Sequence, residues 1–135
     1  LESNVIPDQT LPIPEKIYLQ VALSGNGQAI ASGTKKGVVP VPLAGTITAF
    51  RVDCDPANEP SAAAVQVDLN TINRSTGTAT SILSSVASIA TGANISTGGA
   101  INGTQTVTAS DMLTLDIDQG SDGKELVATI ELTPS

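Results

Sequence analysis

Four carboxylates crowd one short stretch of this 135-residue chain: Asp116, Asp118, Asp122 and Glu125, set around Gly120 and Gly123. Oxygen ligands gathered on a glycine-rich turn are what a calcium ion requires. The spacing departs from a calcium loop, because Gly120 and Thr129 fall where side-chain carboxylates are needed. Asp116 and Asp118 also fit the solvent face of a strand, so the expectation is no metal, with Asp116, Asp118 and Asp122 as the residues to examine. Asp53, Asp55 and Glu59 form a second acidic group beside Pro56 and Pro60, which reads as a solvated loop.

Other chemistry is scarce. The chain has no histidine, which removes Ser-His and Cys-His nucleophilic pairs. Paired carboxylates can cleave glycosides on a sandwich fold, but only Tyr18 and Phe50 are aromatic, which disfavours both saccharide hydrolysis and strong carbohydrate binding. The glycines punctuate turns between strands and form no phosphate-cradling loop at a strand-to-helix junction. Lys35 and Lys36 read as a solvated strand start. Cys54 has no partner within the chain and reads as a small core residue. The sequons at Asn73, Asn94 and Asn102 are expected by chance in a chain rich in Asn, Ser and Thr. No catalytic residue and no cofactor is expected.

Such a chain must build its core from Val, Ile, Leu and Ala, since 40% of it is hydrophobic with almost no aromatic content. β-Branched side chains fit a pleated surface better than a helix. At this length one domain is expected, able to bury roughly two thirds of its unfolded surface. The net charge of −7 opposes binding to nucleic acid or to an anionic membrane. No run approaches the ~18 apolar residues of a spanning helix, so the chain reads as soluble. It begins with Leu1, which leaves a removed targeting segment open.

Residues 1–16 carry Pro7, Pro12 and Pro14 among Val5, Ile6, Leu11 and Ile13, a pattern for neither a helix nor a central strand. An extended arm is expected, with those four apolar residues docking on another surface. Residues 17–135 are the expected β-sandwich domain. Ile17, Leu19, Val21 and Leu23 alternate with polar or small residues up to the turn at 24–27. The valines at 38–41 share their run with Pro40 and Pro42, which predicts an edge strand or a strand at a sheet corner. From Gly45 to Cys54 the apolar parity switches near Ala49, which predicts a bulge or burial on both faces. Val65, Val67 and Leu69 form a half-buried strand. A short strand is expected at Ser81–Leu83, followed by a long surface loop, although 81–89 also has the makings of a helical turn. Leu113, Leu115 and Ile117 lead into Gln119–Gly123, read as a hairpin turn, and the last strand carries Leu126, Ala128, Ile130 and Leu132. Seven or eight short strands indicate an all-β, antiparallel sandwich.

The order of features from Lys36 onward resembles the small jelly-roll domains of tailed-bacteriophage virion proteins. The resemblance from Lys36 onward covers about three quarters of the chain, and the residues that carry it are Gly37 to Thr48, the strand Val65 to Leu69, Thr80 to Leu83, and Val107 to Ile117. This chain has Gln105 and Thr106 in a region where members of that group often have a Trp. The resemblance implies a jelly roll and a non-enzymatic, trimeric virion component. The leading expectation is a capsid decoration or cement protein whose arm binds the major capsid protein or another virion protein, with no nucleic-acid or membrane partner. The alternatives are a tail-fibre or receptor-binding domain, whose 90–103 loop contacts the host, and a calcium-dependent carbohydrate-binding module.

Overall fold

Alternating apolar and polar residues become antiparallel sheets in more than half of the described residues. The computed structural model describes residues 15–25 and 27–135, and within them the protein is all-β, without a helix. The strands are β1 (Ile17–Ala22), β2 (Ala29–Ile30), β3 (Gly33–Pro40), β4 (Gly45–Asp53), β5 (Val65–Ile72) and β6 (Ala79–Ser81). They continue with β7 (Ala87–Ile89), β8 (Thr97–Gly98), β9 (Gln105–Val107), β10 (Met112–Gln119), β11 (Ser121–Lys124) and β12 (Val127–Pro134). One sheet runs β1-β12-β4-β9; the other runs β3-β10-β5-β7-β8, with β6 pairing on β5. The short strands β2 and β11 pair separately.

One hydrophobic cluster draws on both sheets, giving a sandwich-like fold. Ile47, Val52, Ala128, Ile130 and Leu132 come from the four-stranded sheet, and Val65, Val67, Leu69, Leu113, Leu115 and Ile117 from the other. Period-2 alternation is responsible: in β12 every second residue from Ala128 is buried, and in β5 Val65, Val67 and Leu69 are. Each such aliphatic side chain contributes about 1.5–3 kcal/mol by leaving water. Phe50 is buried in this core, whereas Tyr18 is 59% exposed.

Two local expectations match in detail. β3 lies at a sheet edge, where Pro40 withholds no ladder hydrogen bond from a second neighbour. In β4, Glu131 faces Ala49 and Leu132 faces Ile47, so Thr48 is the extra residue of a β-bulge. Thr48 and Ala49 both face solvent, which moves burial from Ile47 to Phe50 and Val52 and accounts for the change of parity.

Three expectations need correction. The described residues hold twelve strands in place of seven or eight, because pairings of two to four residues leave no readable periodicity. The surface loop expected after Leu83 instead contains β7 and β8 and an isolated bridge from Leu83 to Ile101. Ile89 and Gly99 are buried there; a Cβ on Gly99 would meet Ala87 Cβ at 3.1 Å and the Phe50 carbonyl at 3.2 Å, and its φ is +74°. Small residues thus allow close approach of the backbone to the core rather than marking a free loop. Gln119–Gly123 is not a hairpin turn: β10 and β12 belong to different sheets, and β11 starts within that segment and pairs with β2. Turn chemistry reports that the chain changes direction, not which sheet it enters next.

Candidate functional site

The carboxylates adjacent in sequence are dispersed by the fold. Asp116 and Asp118 lie on the solvent side of β10, where Asp116 stands directly opposite Asp68 of β5. Asp116 Oδ1 accepts the Lys35 N–H at 2.8 Å and its Oδ2 accepts Asn70 Nδ2 at 3.2 Å. Lys35 has φ +49° at a register shift of β3 against β10, so Asp116 holds an irregular backbone segment in place. Burial, then repulsion from Asp68 and Asp116, raises the pKa of Asp118. Asp122 is elsewhere: Oδ1 accepts the N–H groups of Ser61 at 2.8 Å and Ala62 at 3.1 Å, and Oδ2 accepts the Ser61 hydroxyl. Those bonds hold its carboxyl well below the usual range, with the Ser61 hydroxyl the largest cause. Glu125 is exposed at φ +58°. Among the described residues no group of three or more acidic, Cys or His side chains is arranged to hold a metal ion.

Within the second acidic group, Asp55 turns onto its own loop, whereas Asp53 lies at the end of β4. Asp55 Oδ1 accepts the Ala57 N–H at 2.9 Å and Oδ2 accepts Asn58 Nδ2 at 2.8 Å, which lowers its pKa. Cys54 is buried, and burial followed by the charges of Glu59, Asp55 and Asp53 pushes its thiol up. A protonated, enclosed thiol is a poor nucleophile. Asp53 Oδ1 and Thr114 Oγ1 are shut off from solvent without a hydrogen-bond partner. Asn73 caps its own turn by accepting the N–H groups of Ser75 at 2.9 Å and Thr76 at 3.0 Å. Val5, Ile6, Leu11 and Ile13 fall outside the described residues.

The outer face of the four-stranded sheet carries a feature that inspection of the sequence missed. Cross-strand register sets two parallel rows: Tyr18, Glu131 and Ala49 in one, Gln20, Thr129 and Arg51 in the next. All six line a shallow groove of about 570 Å³. The bulge residue Thr48 donates its hydroxyl to Glu131 Oε1 at 2.7 Å, and Lys16 Nζ reaches the same oxygen at 3.1 Å. These partners hold Glu131 ionised below its ordinary pKa, the Thr48 bond contributing most. Arg51 Nη2 pairs with Asp53 Oδ2 at 3.1 Å at the other end. The rows join residues more than a hundred positions apart, and no local spacing could reveal them.

Comparison with protein-family models, curated proteins and solved structures finds no match for this chain.

Proposed function

We propose that this chain is a non-enzymatic structural protein of a tailed-phage virion: a trimeric, jelly-roll decoration or cement protein that grips the major capsid protein or another virion protein through residues 1–16. The observation that carries the reading is strand order. Setting aside β2 and β11, which pair only with each other, β6, which lies off the main path, and the two-residue β8 beyond β7, eight strands remain, and in chain order they run first-eighth-third-sixth in one sheet and second-seventh-fourth-fifth in the other. That order supports a jelly roll of two Greek keys, the fold that the resemblance from Lys36 onward implies.

The position of β1 supports a role for the N-terminal segment. β1 is an edge strand, so Ile17 starts a strand at the rim of the four-stranded sheet. Apolar residues at 5, 6, 11 and 13 then gain about 25 cal/mol per Å² buried against a neighbour, and closed symmetry repeats the gain in every copy. Light scattering on the full chain and on residues 17–135, over a range of concentrations, tests the proposal. A stable trimer that dissociates on removal of residues 1–16 is the expected result; a monomer unaffected by the deletion would overturn it.

A further inference from the structure

We infer that the groove on the outer face of the β1-β12-β4 sheet is a binding site for a neutral saccharide ring. The inference is independent of the virion reading and rests on the groove alone. Its floor is low because Ala49 and Thr129 are short. One wall is Tyr18 and Gln20 on the edge strand β1, the other is Arg51 on β4, and Glu131 stands between Tyr18 and Ala49. Three strands about 4.8 Å apart and two rows about 6.7 Å apart give a platform of ~10 by ~7 Å, the footprint of one pyranose ring with room for part of a second. The volume of about 570 Å³ lies within the range of small-ligand sites.

The side chains match the two faces of a sugar. Tyr18 is the only tyrosine in the chain and is 59% exposed, an aromatic surface kept in water rather than in the core. It lies close enough to Glu131 to help hold that carboxylate ionised. An exposed phenol ring can stack on the apolar C–H face of a pyranose while its hydroxyl stays bonded to Glu131. The Gln20 amide, the Thr129 hydroxyl and the Arg51 guanidinium N–H groups not directed at Asp53 supply donors and acceptors for ring hydroxyls. Charge favours a neutral ligand, since Lys16 pairs with Glu131 and Asp53 pairs with Arg51, so these four groups carry no net charge. With a single aromatic ring the site is expected to bind weakly, in the millimolar range that corresponds to about −4 kcal/mol, in keeping with the scarcity of aromatics disfavouring strong binding. Several copies in one particle would raise it through avidity.

Saturation-transfer NMR on the full chain tests the inference, using the methyl glycosides of glucose, galactose, mannose and N-acetylglucosamine as probes. Transfer to the ring C–H protons of at least one glycoside is expected. Tyr18→Ala should weaken that binding by ~10-fold or more, and Arg51→Ala by a few-fold. Val38→Ala, an exposed site on the other sheet, should leave it unchanged. Absence of transfer from all four glycosides, or transfer that survives Tyr18→Ala undiminished, would overturn the inference. Neither result depends on oligomeric state, so the virion proposal stands or falls separately.

Discussion

Asp122 shows how a carboxylate that looks like a ligand in the sequence becomes a structural clamp in the fold. Its oxygens accept two backbone N–H groups and two hydroxyls, from Ser61, Ala62 and Ser121. Because its folded pKa lies below the unfolded value, the stability it contributes is complete above the ordinary carboxylate pKa of about 4 and is lost as pH falls below that. Asp55, Asp111 and Glu131 are shifted in the same direction and add to this acid sensitivity. Asp118 is shifted the other way, so its charge opposes folding at neutral pH and protonation relieves the cost. Melting temperatures followed against pH should show Asp122→Ala well below the parent near neutrality and converging with it in strong acid. Asp118→Asn should melt slightly above the parent near neutrality. Thr114→Val is a third residue-scale test: it removes a buried hydroxyl with no partner and should raise stability by roughly 1 kcal/mol in urea unfolding.

At the scale of elements, what could be read from the sequence was whatever repeats with period two. β1, β5, β10 and β12 stood out because apolar residues alternate over six or eight positions. The two prolines placed β3 at an edge, and the parity switch at Ala49 located the β4 bulge. β7 and β8 were hidden because Ala, Ser, Thr and Gly carry no hydrophobic period, and the crossing at 119–123 was hidden because a Gly-Ser-Asp-Gly turn suits a hairpin and a sheet change alike. Of the candidate groove, Tyr18 stood out in the sequence only as one of two aromatic residues, and the site itself was not legible, since it depends on the register of three strands distant in sequence. Two substitutions test the packing of these elements. Leu115→Ala, at the centre of β10 opposite Leu69, should cost ~2–5 kcal/mol. Gly37 sits where the two edge strands β1 and β3 meet: an added Cβ would lie 2.5 Å from Leu23 Cδ2 and 3.2 Å from Leu115 Cδ1. Gly37→Ala should therefore lower stability by roughly 1–3 kcal/mol through overpacking, measured by chemical unfolding.

For the whole molecule, the division of labour follows from the sandwich. The interior is aliphatic and closes one core, the solvent face of the six-stranded sheet carries like-charged Asp68, Asp116 and Asp118, and the solvent face of the four-stranded sheet carries a charge-balanced groove. Arg74, in the turn after β5, bonds Asp111 at 2.7 Å before β10 and ties two turns together at the surface. The functional reading depends on β12 lying between β1 and β4 while β10 lies between β3 and β5. Cross-strand nuclear Overhauser effects in isotope-labelled full chain measure that order directly. Close proton pairs are expected at the registers Leu19–Ile130, Ile130–Phe50, Leu115–Leu69 and Leu113–Val39; a continuous ladder between β10 and β12, as a hairpin at 119–123 would produce, would rule this strand order out.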